Sequence, residues 1–131
     1  MKRVEAALTS IGALAFTMNA VAFSDVEVVQ HLAVVAQELS PQLPLGTASA
    51  KIVSTEVGPG RKFTYVIASR LRANEWTEVQ KARHREVKRV LYCTDPDMKF
   101  FRDRGVTVVF AVIDENGTSV DEAATAPKDC K

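Results

Sequence analysis

The sequence predicts an α+β domain in the order α-β-β-α-α-β-β, an antiparallel sheet packed on one face by helices and held by one disulfide. Three observations carry this reading. Apolar residues recur at helical spacing in two long stretches, two pairs of strand-like segments are each joined by a glycine-bearing turn, and the two cysteines lie far apart in the chain. The 131 residues are 47% hydrophobic and 25% charged. That balance excludes a disordered or fibrous chain, and the length suits one domain rather than a two-domain enzyme.

Residues 1–22 read as an export signal rather than as fold. Met1-Lys2-Arg3 is a cationic start, Ala6 to Phe16 is mostly small and apolar, and Ala20-Val21-Ala22 is an A-x-A site with cleavage expected after Ala22. The mature domain is then 23–131, with no transmembrane segment and no cysteine beside the cut to carry a lipid. Once Lys2, Arg3 and Glu5 are removed, basic and acidic residues balance. A nucleic-acid binder that works by bulk charge is excluded. In an exported protein the pair Cys93 and Cys130 reads as a disulfide. Its long loop stabilises by about 4 kcal/mol in the chain-entropy view.

The elements follow in order. Ser24 with Glu27 is a capping box, and Val28, Leu32, Val35, Ala36 and Leu39 recur behind it at helical spacing. Pro41 stops that helix, and Pro41 with Pro44 makes an extended connector. Ala48 to Val57 reads as a strand with a weak inward set. Gly58-Pro59-Gly60 turns the chain, and Phe63, Tyr65, Ile67 and Leu71 alternate with polar or small residues as its hairpin partner. Asn74 is the expected N-cap of a longer helix reaching about Tyr92, with Trp76, Val79, Val87, Val90 and Leu91 as its apolar face. Thr94, Pro96 and Asp97 start a short helix that Gly105 ends. Val106 to Ile113 is apolar on both faces, as a central strand is. Asp114-Glu115-Asn116-Gly117 is a hairpin turn, and Ser119 to Thr125 is polar enough for an edge.

Several of these segments together resemble a group of small exported bacterial proteins. They are Gly58-Pro59-Gly60 before Phe63-Thr64-Tyr65, Tyr92-Cys93-Thr94, Pro96-Asp97-Met98, Gly105-Val106-Thr107, Asn116-Gly117 and Pro127-Lys128-Asp129-Cys130. The resemblance covers nearly all of the mature chain and rests on turns, caps and cysteines. It implies a fold and a compartment, and no catalytic residue. The last strand departs from the group's pattern, with Asp121 and Glu122 where an apolar alternation is expected.

Assembled chemistry is scarce. His31 and His84 are the two histidines, the first beside Leu32 in a helix and the second between Arg83 and Arg85. No G-x-S-x-G occurs, and the thiols are expected to be oxidised. Asp95 and Asp97 flank Pro96, where a helix start uses carboxylates for capping. Gly58-Pro59-Gly60 lacks the Lys and Ser/Thr of a phosphate loop, and neither a zinc set nor an EF-hand is present, so no cofactor or metal is expected.

One polar constellation stands out. Lys81, His84, Arg85 and Lys88 fall at i, i+3, i+4 and i+7 and therefore share one helix face. From Arg61 to Arg104 there are twelve Lys/Arg against six Asp/Glu, while the chain from Gly105 is acidic. If exposed, such a stripe would dock an acidic protein or an anionic envelope component. The expected function is accordingly a periplasmic or secreted, non-enzymatic binding or adaptor protein of the bacterial cell envelope, with no specific nucleic-acid partner. A pilotin-like role and inhibition of another protein are two versions of it. The alternatives are a small secreted hydrolase with a dispersed site, built from Tyr65, His84 and Asp114, and a carrier of a small apolar ligand between sheet and helices.

Overall fold

The computed structural model describes residues 23–131, so the expected signal peptide and the cut after Ala22 lie outside the described residues. The first helix, α1 (Asp25–Leu39), starts at the capping box expected for it. Ser24 Oγ accepts from the Glu27 amide at 3.1 Å, and Glu27 Oε1 accepts from the Ser24 amide at 3.0 Å. Val28 and Leu32 are its fully buried residues. Pro41 ends the helix in a single 3-10 turn, Ser40–Gln42.

The connector then forms a strand the sequence did not reveal. β1 (Leu45–Gly46) pairs antiparallel with β2 (Ala50–Val57). Two residues are too few for a periodic signal. Gly46 is the telling position, because φ is +137° and a Cβ there would sit 2.6 Å from the Ala50 carbonyl oxygen. β2 returns through the Gly58-Pro59-Gly60 turn into β3 (Lys62–Ser69).

The second long helix, α2 (Glu78–Thr94), is capped by Thr77 and not by Asn74, which lies in the preceding 3-10 turn Ala73–Glu75. Both residue types cap well, and the position three further on decides. Gln80 completes a capping box on Thr77, with bonds of 3.1 and 2.8 Å. A 3-10 turn (Pro96–Met98) leads into the short α3 (Lys99–Asp103), then β4 (Thr107–Ile113) and the edge strand β5 (Ser119–Thr125).

The strands form one sheet in the order β1-β2-β3-β4-β5. The α+β class, the order of the long elements and the Cys93–Cys130 bridge agree with expectation. The sheet itself is mixed rather than wholly antiparallel. β3 and β4 run parallel, with Phe63 opposite Val108, Tyr65 opposite Phe110 and Ile67 opposite Val112. The physical reason is the connection: α2 and α3 carry the chain back along the sheet, so the second hairpin enters beside β3 in the same direction.

Helices cover one face of this sheet. Phe63, Tyr65 and Ile67 of β3 and Val108, Phe110 and Val112 of β4 are buried there. Tyr65 stacks on Phe110 at 5.2 Å, and Phe63 meets Phe101 of α3 at 5.3 Å. Each such side chain contributes on the order of 1.5–3 kcal/mol by burial. Tyr92 reaches in from α2, fully buried, and its hydroxyl donates to the Val106 carbonyl at 2.7 Å. α1 lies over β2 and α2 over β5, which leaves a gap above the middle strands.

Candidate functional site

α2 is turned differently from its apparent apolar pattern. Val79, Val87 and Val90 are 73%, 54% and 43% exposed, so three of the five residues expected to face the core face solvent. The face holding Lys81, His84, Lys88, Leu91 and Tyr92 lies toward the sheet instead. Tyr92 and Leu91 bring more apolar surface inward than the small valines would, and the lysine stem adds methylenes beneath its ammonium group.

Lys81, His84 and Lys88 are thus brought together on the packed side of the helix, with Arg85 at its exposed margin, and all but Lys88 are engaged by carboxylates. Asp121 of β5 sits opposite Val112 and points toward α2, its side chain 7% exposed. His84 Nδ1 donates to Asp121 Oδ2 at 3.1 Å. Arg85 donates from Nε and Nη2 to Asp121 Oδ1 at 3.2 and 2.9 Å. Burial pushes the Asp121 carboxyl up, but the bonds from Arg85 and His84 outweigh it and hold the group below the usual carboxylate range. Lys81 lies 3.4 Å from Glu78 on its own helix. A free basic stripe is therefore not what this face offers. Its neutralising carboxylate is Asp121, the residue that marked the departure of the last strand from an apolar alternation.

Asp114 has a different task. It accepts from the backbone N–H groups of Ala73, Asn116 and Thr118 at 2.9 to 3.0 Å, which lowers its pKa and ties the β4–β5 turn to the entry of α2. Of the dispersed hydrolase set, Tyr65 and His84 face a common cleft and Asp114 does not. Burial pushes the Tyr65 hydroxyl up to about 12, so it stays protonated. His31 packs edge-on to Phe23 at 5.3 Å and accepts from Arg104 Nε at 3.1 Å, a structural role at the start of the domain. Asp95 caps the turn after α2, accepting from the Asp97 amide at 2.8 Å. Among the described residues, no group of three or more His, Cys, Asp or Glu side chains could hold a metal ion.

The cleft lies in the gap between α2 and the β1–β2 edge, with a volume of about 520 Å³. Its floor is Tyr65, Ile67, Phe110 and Val112, with Leu45 and Ile52 on one side and Leu91 and Met98 on the other. The polar part is made by Ser69, Trp76, His84 and Lys88, with Ser49, Asp95 and Asp97 also on the lining. Trp76 Nε1 donates to Ser69 Oγ at 3.2 Å, and its ring meets His84 edge-on at 6.0 Å. His84 Nε2 is buried and has no hydrogen-bond partner. Lys88 Nζ stands 4.7 Å from the centre of the Phe110 ring, and burial lowers its pKa. Such a site binds an apolar body and orients it by one polar end.

The same arrangement of strands and helices occurs in proteins of bacterial secretion. The chain is similar to the type II secretion pilotin EpsS of Vibrio vulnificus, with a TM-score of 0.67 at 14% identity over 82% of this chain and 94% of that one. The pilotin AspS of Vibrio cholerae superposes with a TM-score of 0.61 at 14% identity, covering 81% and 94%. A Pseudomonas aeruginosa protein inferred to be secreted gives 0.73 at 16% identity, covering 84% and 98%. At these identities the shared property is the fold. No protein-family model and no curated protein matches the sequence.

Sequence reasoning missed Asp121, Trp76 and Ser69 as parts of one environment. A signal for Asp121 was present. It alternates with Ala123 and Thr125, both buried, so a carboxylate in that phase demands a cationic partner from the covering helix.

Proposed function

We propose that this protein is a non-enzymatic adaptor of the bacterial cell envelope, periplasmic or secreted after cleavage near Ala22, that grips an apolar segment of a protein partner in the cleft. The observation that carries the reading is the cleft itself: an open apolar trough of ligand-binding size on the helix-covered face. The fold it shares with two type II secretion pilotins favours a pilotin-like version. A single disulfide suits an oxidising compartment. Both cysteines of the sequence are in that bridge, so neither is free to carry a lipid. Within the site His84 and Lys88 remain as its polar end, while Lys81 and Arg85 are engaged by Glu78 and Asp121.

Cross-linking and capture from a periplasmic extract test this reading. Leu45 is 46% exposed on the rim of the cleft, so Leu45→Asp should leave the fold intact and put a charge in the trough. A partner recovered with the wild-type protein and lost with Leu45→Asp supports the adaptor role. Identical recovery with both proteins, or none above a scrambled control, counts against it.

A further inference from the structure

We propose that the cleft also binds a free medium-chain carboxylate of the fatty-acid class, its head at Lys88 and His84 and its chain over Ile67, Ile52 and Leu45. The first ground is the unmet demand at the polar end. Lys88 is half-buried, and among the described residues its ammonium group has no hydrogen bond or ion pair, only the Phe110 ring. His84 lies one turn earlier, its side chain 10% exposed, with Nε2 buried and unpartnered. A half-buried cation over an aromatic ring and a buried ring nitrogen with no partner are both costly to leave without a polar partner.

Charge complementarity selects the head group. Asp121 is the acidic neighbour of His84, and Arg85 engages it from the other side with two bonds to one oxygen. The Lys88–His84 end is therefore cationic. A carboxylate has two oxygens, one to accept from the Lys88 ammonium and one to accept from Nε2–H of a His84 imidazolium whose Nδ1–H is held by Asp121, and charge-assisted bonds of this kind are the strong ones. Asp95 and Asp97, which line the cleft just beyond the C-terminus of α2, disfavour an anion beside them and so keep the head group at Lys88 and His84. The middle is apolar, and its volume of about 520 Å³ lies within the range of small-molecule sites. A neutral or cationic amphiphile of the same length would bury the same chain and leave Lys88 unpaired.

Titration calorimetry with dodecanoate below its micelle concentration tests this, with dodecanol and dodecyltrimethylammonium as neutral and cationic counterparts. Dodecanoate should bind at one site and the counterparts far more weakly. Lys88→Met keeps the apolar stem and should weaken dodecanoate by about tenfold or more, the scale of one charged hydrogen bond, while Lys88→Arg keeps most of the affinity. Should Lys88→Met fail to fold, the wild-type protein still decides the matter. Dodecanoate should shift the imidazole NMR signals of His84 and leave those of His31 in place. No binding, comparable binding of all three amphiphiles, full affinity in folded Lys88→Met, or an unmoved His84 signal would overturn the proposal. The adaptor reading is tested separately by partner capture, and it stands or falls on that result alone.

Discussion

His84 on α2 and Asp121 on the edge strand β5 stand 3.1 Å apart, nitrogen to oxygen, in a contact that also draws in Arg85. The pair joins Tyr92 and Leu91 in holding one face of α2 against the sheet. With His84 held to the sheet, Lys88 one turn later falls over Phe110, and Val79, Val87 and Val90 are left outside. The polar end of the cleft is in this sense a product of a carboxylate on a strand that lies outside the cleft's floor.

Asp121→Ala is expected to destabilise the protein by about 1–3 kcal/mol, because it strips a buried carboxylate from two donors at once. Urea unfolding at neutral pH measures this. The same residue makes an acid-side prediction. Its pKa is lowered in the folded state, so its contribution is complete above the unfolded value of ~3.9 and fades as pH falls through the folded value. Urea midpoints between about pH 2 and 6 should fall less steeply in Asp121→Asn than in the wild type.

Replacing Lys81, Arg85 and Lys88 together by Gln should lower the melting temperature. A solvated docking face would tolerate that change. Here Arg85 is a partner of the buried Asp121, so a loss of about 1–3 kcal/mol is expected. An unchanged melting temperature would mean that α2 is turned the other way.

Tyr92→Phe removes the hydroxyl that donates to Val106 in the core and leaves that carbonyl buried without its partner, at a cost of about 1–2 kcal/mol. At high pH the two buried tyrosines act together. Burial pushes the hydroxyls of Tyr65 and Tyr92 up to about 12. Each raised pKa adds stability that is complete below the unfolded value of ~10 and is lost as pH rises through the folded one. Alkaline unfolding should therefore set in between about pH 10 and 12, and Tyr92→Phe should flatten that part of the curve.

Cys93→Ser should cost about 2–5 kcal/mol, since the bridge ties the end of α2 to the C-terminal turn across a long loop. Chemical denaturation with and without reductant measures the effect. The variant should be insensitive to reductant, and the wild type, once reduced, should resemble it.

Local signals in the sequence determined the class, the caps and the turns. Ser24 with Glu27, the Gly-Pro-Gly turn, Asn116-Gly117 and the alternation of Phe63, Tyr65 and Ile67 each act through neighbours within a few residues, so their meaning survives without the rest of the chain. The cysteine pair was legible for another reason, because a chain that reads as exported has few other uses for two distant thiols. The tertiary structure alone decided the rest. Whether β3 and β4 run parallel depends on where a helical crossover returns the chain, which no strand encodes in its own pattern. The inward face of α2 was decided the same way. By spacing alone, three valines looked like a core stripe and Lys81, His84, Arg85 and Lys88 looked like a solvated one. Tyr92 and Leu91 turn inward with more apolar surface, and the carboxylate of Asp121, arriving from a strand 37 residues beyond His84, holds His84 and Arg85 to the sheet, because a buried charge must be met by opposite charge wherever the fold brings one within reach.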